Sequence, residues 1–284
     1  MFKFWPGCII AVRSDPEEVR QVHSAVNTQE MPPPLIFGLS EAARALSEYG
    51  WFLSSRWWLA RGRDGAGRVV LVLPGLDATD WSTKPLRNLL SSVGYRAYGW
   101  GLGRNVGPTE RIFTGLDELL LQIQDRHGTP VSVVGQSLGG LLGRELARRH
   151  PGAVDRLITL ASTVAITSLR QSRAARAYAR HADKHLPDFA FERWTTAPQP
   201  PIPATSIYSR TDGIVHREAC QYPEGPLTEN IEVCGSHFGL AVHPAALYAL
   251  LDRLQVTVDN GGWAKFAPPA ALRGYFPSSA PAAA

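Results

Sequence analysis

The stretch VSVVGQSLGGLLGRELARRHPG, residues 131–152, admits few folds. Val131, Val133 and Val134 read as a short buried strand opened by Pro130. Leu138, Leu141, Leu142, Leu146 and Ala147 then recur at helical spacing, and His150-Pro151-Gly152 stops the pattern. Ser137 therefore falls at the turn between a strand and a helix. So tight a turn forces its central residue into an unfavourable backbone conformation. A side chain at position 135 or 139 would clash with the neighbouring strand and helix, and glycine at both removes the clash. The alternative is a glycine-rich turn with an incidental serine; the strand and helix on either side argue against it.

The rest of the chain repeats the same rhythm. RVVLVLPG (68–75) reads as a buried strand, 82–93 as a helix, YRAYGWG (95–101) as a strand and 108–127 as a helix. Beyond the serine turn come DRLITLAS (155–162), ATSIYS (204–209) and ENIEVCG (229–235) as strands, and a closing helix from Pro244 to about Leu254. Strands alternating with helices predict an α/β fold, a mostly parallel central sheet covered by helices on both faces. The rhythm breaks over 163–203, too long for a plain connection, so an inserted helical cap is expected there. This gives an N-terminal extension (1–64), a main domain (65–260) carrying the cap, and a Pro/Ala-rich tail (261–284).

Within the extension, Leu39, Ala42, Ala43, Leu46, Tyr49, Leu53, Trp57 and Ala60 follow a helical period interrupted by Gly50. The helix carries Trp51, Trp57 and Trp58 with Arg44, Arg56 and Arg61. Two readings are open: a helix packed on its own domain, or one lying on an anionic membrane surface, with the arginine-bearing cap gating a cleft nearby.

Bulk properties narrow the function. A net charge of +4 without a dense basic block gives no argument for nucleic acid. No uncharged apolar stretch reaches membrane-spanning length, and the N-terminus is no convincing signal peptide, so a cytoplasmic protein is expected. Cys8, Cys220 and Cys234 form no metal-spaced cluster. Cys220 and Cys234 flank the two loops discussed next and could meet, but reduced thiols are the expectation.

A serine hydroxyl needs a base, and the base needs a third group to hold its tautomer. After strand 204–209 comes SRTDGIV, which puts Asp212 at the strand's C-terminal mouth; after 229–235 comes GSHFGL, which puts His237 in the equivalent place. Glu232 lies within a strand and Asp155 precedes one. His243 begins a helix, His127 and His150 end helices, and no strand delivers His216 towards Ser137. The elbow GQSLG, the PGL of LPGLDATD (73–80), SRTDGIV and GSHFGL together resemble the serine esterases and lipases of the α/β-hydrolase superfamily over about residues 65–255. The YGWGLGRNVGPT segment resembles one found in bacterial lipase-like hydrolases.

The resemblance implies that Ser137 attacks, His237 moves the proton and Asp212 orients it, in the family's order along the chain. It implies an oxyanion hole from the backbone N–H groups of Leu138 and Leu76. It implies that residues 99–109, with Trp100 and Leu102, line one wall of the substrate site. Gln136 departs from the His or Tyr of many relatives and would shape the pocket floor. Neither metal nor organic cofactor is required. The expected partner is a small-molecule or lipid ester, with no obligate protein partner, cleaved through an acyl-enzyme. Acyl transfer by the same triad and a non-catalytic binding protein of this fold are the alternatives.

Overall fold

The computed structural model describes residues 31–189, 199–259 and 262–277. Expectations on Cys8 and the rest of 1–30, on 190–198 of the cap and on the tail's end lie outside them.

Six strands form one parallel sheet: β1 (Val69–Leu73), β2 (Arg96–Gly99), β3 (Val131–Gln136), β4 (Val154–Leu160), β5 (Ala204–Ser209) and β6 (Thr228–Val233), ordered β2-β1-β3-β4-β5-β6. Every residue of β1 and β5 is buried, as strands covered on both faces require. Alternate side chains enter separate cores, because successive residues of a strand face opposite ways. Val70 and Val72 join Phe52, Leu59, Leu86, Leu90 and Leu250 on one face. Val69, Leu71 and Leu73 join Ile112, Leu116, Leu142 and Leu146 on the other. The first face is thus covered by α1 (Leu35–Ala60), α2 (Asp80–Ser92) and α6 (Pro244–Gln255). The second is covered by α3 (Glu110–His127) and α4 (Leu138–Arg149).

Three details depart from the sequence reading. Helix α1 runs unbroken through Gly50, whose missing side chain faces open space. Its inner face packs on the domain, with Phe52 and Leu59 as core residues. The cap is less helical than its Ala/Arg composition suggests: α5 (Ala175–Ala179) is its one α-helical segment among the described residues, with short 3₁₀ turns around it. It is held in place by Arg173, which donates to Pro33 O at 2.6 Å, and by a bridge between Ser172 and Val215. The segment after a two-residue hairpin, β7 (Val258–Asp259) with β8 (Gly262–Trp263), returns to α6, where Phe276 is fully buried. Cys220 is buried and Cys234 exposed, and both are free thiols.

Candidate active site

The sheet delivers four loops to one edge, the carboxyl ends of β1, β3, β5 and β6. Ser137 stands between β3 and α4 with φ 50° and ψ −120°, a conformation that costs roughly 1–3 kcal/mol. Its N–H donates to Leu160 O at 2.8 Å, and its carbonyl accepts from Gly140 N–H at 3.0 Å. A Cβ at Gly139 would lie 2.5 Å from Leu73 O, and one at Gly135 would overlap the Gly140 backbone. The two glycines are therefore there for the reason the motif suggested. Because α4 begins at Leu138, the positive end of its dipole faces the space beside the Ser137 hydroxyl.

Asp212 and His237 close on that hydroxyl. His237 Nε2 lies 3.1 Å from Ser137 Oγ, and His237 Nδ1 lies 2.7 Å from Asp212 Oδ2. Asp212 Oδ1 accepts the N–H groups of Ile214 and Val215, each at 2.7 Å, which fixes the carboxylate's plane. Both His237 and Asp212 are buried. Burial alone would depress the imidazole pKa, but the charge and hydrogen bond of Asp212, helped by Glu41, outweigh it and raise it.

The β1 loop passes close by: a Cβ on Gly75 would touch Ser137 Cβ at 3.4 Å. Leu76 and Leu138 both border the cleft over Ser137, with Leu141, Ile166, Tyr178 and Val215. The cap supplies much of this wall, including Thr163, Leu169, Ala174 and Ala175.

Trp100, Leu102 and Gln136 are not brought to this cleft. Trp100 is fully buried in the α3 core, its Nε1–H donating to Gly103 O and its N–H to Asp80 Oδ1. Leu102 lies over Gly115 of α3, where a Cβ would collide with it. Their segment braces the site instead of lining it. Asn105, fully buried, donates to Pro74 O at 2.8 Å, and its backbone pairs with Asp77 and Ala78 at 2.8 and 2.9 Å. The glycine-rich pattern was visible in the sequence, but its target, the β1 loop, was not.

Two residues that sequence reasoning passed over come from α1. Glu41 Oε1 accepts the N–H groups of Gly213 at 2.8 Å and His237 at 3.1 Å, and Oε2 that of Phe238 at 3.2 Å. Glu48 accepts the N–H and hydroxyl of Ser236 at 2.7 and 2.5 Å. Both glutamates are buried. The available signal was their spacing: 41 and 48 share one helix face with the core residues Phe52 and Leu59.

The comparisons with known proteins agree with this architecture. The profile of the family "Serine aminopeptidase, S33" matches residues 66–219, more than half of the chain. A curated Yersinia enterocolitica protein named "Putative carbamate hydrolase RutD" is 29% identical over 102 residues, 34% of this chain and 37% of that protein. The crystal structure of Aspergillus fumigatus lipase B superposes with a TM-score of 0.53 at 15% identity, covering 68% of this chain and 54% of the lipase. That of Paleococcus ferrophilus monoacylglycerol lipase gives 0.45 at 16%, covering 67% and 96%. The chain thus spans little more than a third of the curated relative and about half of the first lipase. At 15% identity the likeness to the Aspergillus lipase speaks for the fold alone. The match over β1 to β5, with the serine turn at its centre, makes this chain a member of the S33 serine aminopeptidase family of α/β-hydrolases.

Proposed function

We propose that the protein hydrolyses carboxylic esters with an apolar acyl group, through an acyl-enzyme on Ser137. The observation that carries this is the hydrogen-bonded series Ser137–His237–Asp212 on three separate loops. Ser137 Oγ attacks the acyl carbon while its proton passes to His237 Nε2, and the carbonyl oxygen takes up the negative charge. Leu138 N–H and Leu76 N–H are the donors for that oxygen; among the described residues neither forms another hydrogen bond. His237 returns the proton to the leaving alcohol, and a water then repeats the sequence to release the acid.

The cleft argues for esters over peptides with a free amino terminus. An amino-terminal ammonium needs a facing carboxylate, and among the described residues those bordering the cleft include no acid. The one titratable group among the described residues bordering it, the Tyr178 phenol, is pushed up by burial and stays neutral. The cleft measures about 80 Å³, against the roughly 300–1,000 Å³ of drug-sized pockets, which favours short acyl chains. A lipid-like ester requires the cap to move aside.

Fluorophosphonate labelling with peptide mapping tests the assignment. The label is expected on Ser137, and Ser137→Ala is expected to lose ester turnover on the order of 10⁵-fold or more. Within a p-nitrophenyl ester series from acetate to decanoate, kcat/KM is expected to peak at a short chain. Labelling at another serine, or none, overturns the reading.

A place of action follows from the outer face of α1. No helix among the described residues is long and apolar enough to cross a membrane. Yet Leu35, Leu39, Leu46, Leu53 and Trp57 lie exposed along one stripe of α1. Both acids of the helix, Glu41 and Glu48, point inward. We therefore place the enzyme in the cytoplasm, resting on an anionic lipid surface through this stripe.

A further inference from the structure

The two buried glutamates of α1 take no part in the proton transfers above, yet they hold the loops that do. We propose that Glu41 and Glu48 are positioning residues of the active site, and that Glu41 sets the distance between the acid and base loops. The inference rests on the hydrolase reading of Ser137, Asp212 and His237.

A carboxylate removed from water is unfavourable unless its lone pairs are taken up. Here most are taken up by backbone N–H groups of the two loops that carry Asp212 and His237. Glu41 accepts the N–H that follows Asp212, the N–H of His237 itself and the N–H that follows it. One carboxylate therefore spans both loops, while Arg44 Nη2 at 2.8 Å balances its charge from the solvent side. One turn pair further along the same face, Glu48 holds Ser236, the residue before the base. Neither residue lies within the family match, which begins at 66.

The motif glycines support this independently. A Cβ on Gly213 would run into the backbone of Phe37 and Gly38 at the start of α1. A Cβ on Gly239 would overlap the Glu48 carboxylate. Neither glycine has a positive φ among the described residues, so what each provides is room for α1. TDGIV and SHFGL are thus fitted to this helix as well as to the triad.

The charges facing the His237 imidazole come from two elements: Asp212 on the β5 loop and Glu41 on α1, the latter paired with Arg44. Glu48 faces the same loop through Ser236, and its burial raises its own pKa. The neighbouring His243 is pushed down to about 4 by burial and stays neutral near pH 7.

The experiment uses the full chain with Glu41→Gln, Glu41→Asp and Glu48→Gln, hydrolysing p-nitrophenyl butyrate. Glu41→Gln keeps the shape but loses the charge and one acceptor. We expect kcat to fall about 10- to 100-fold with KM within about twofold, because a small displacement of the base is costly and the cleft wall is untouched. The acid limb of kcat/KM against pH is expected to move to lower pH in Glu41→Gln and to move less in Glu41→Asp, which keeps the charge. Glu48→Gln is expected to lower kcat without shifting the limb as far. Backbone amide exchange at Gly213, His237 and Phe238 is expected to accelerate in Glu41→Gln. A folded Glu41→Gln with unchanged kcat, limb and amide exchange overturns the proposal. If fluorophosphonate fails to label Ser137 in the parent, the hydrolase reading falls, while amide exchange still decides whether Glu41 holds the two loops.

Discussion

His237 has to be neutral to accept the Ser137 proton, yet its surroundings favour the imidazolium. Burial works towards the neutral form, and Asp212 with Glu41 more than offset it, so the folded pKa lies above 6.5. Activity is therefore expected to rise with pH through a midpoint above 6.5, read from kcat/KM measured between pH 5 and 9. Asp212→Asn removes the charge and the tautomer lock. Its midpoint is expected to drop below the parent's, and its kcat to fall on the order of 10⁴-fold. Linkage gives the same shift a sign in stability. A raised histidine pKa favours the fold below the unfolded value, and this contribution is lost as pH rises through the folded value. His243, lowered to about 4, acts oppositely and destabilises the fold as pH falls from 6.5 towards 4. An imidazole whose protonation is favoured thus stands six residues from one whose protonation burial resists.

Among the elements, the segment after β2 carries the least expected role. Asn105 ties the β1 loop by its side chain and both backbone groups, so the Leu76 N–H is set by a residue outside the cleft. Asn105→Ala leaves Pro74 O without its donor, at about 1–3 kcal/mol. It is expected to lower kcat more than it raises KM, and to lower Tm by several degrees in a thermal melt. The strands, the serine turn and the places of Asp212 and His237 were legible because local pattern decides them: apolar runs, glycines at 135 and 139, and loops at strand ends. Trp100 and Leu102 misled because an aromatic or leucine in a glycine-rich loop looks the same whether it faces a ligand or the α3 core. Glu41 and Glu48 were passed over for a related reason. A glutamate on a helix reads as solvated, and the loops that receive these two lie 172 to 197 residues away. The cap's composition suggested a helical insertion. The tie from Arg173 to Pro33 and the bridge from Ser172 to Val215 instead spread it over the cleft as short turns.

At the scale of the whole molecule, α1 joins two surfaces. Its inner face holds the loops of Asp212 and His237, and its outer face is an apolar stripe with Leu39 at 79% and Trp57 at 64% exposure. The tryptophans divide between the two: Trp51 packs on His243 and Tyr275, Trp58 stacks on Tyr248, and Trp57 faces outward. A groove of about 830 Å³ between α1 and α2 continues the outer surface to Phe238, the neighbour of His237. Arg56 and Lys84 border it, with Trp57 and Trp81, and among the described residues no acid does. Such a surface suits anionic lipid, the aromatics entering the headgroup layer and the cations answering its charge. Deleting α1 would be a poor test, because it would also remove Glu41 and Glu48. The informative variant replaces Leu39, Leu46, Leu53 and Trp57 by Ser, all on the face turned away from those glutamates. In flotation with phosphatidylserine-containing vesicles the parent is expected to rise with the lipid, and to do so less at 0.5 M salt, where exposed charges are screened. The variant is expected to stay in the dense fraction while keeping the parent's kcat on soluble p-nitrophenyl butyrate. Equal flotation of the two, or none by the parent, would leave an esterase that meets its substrate in solution.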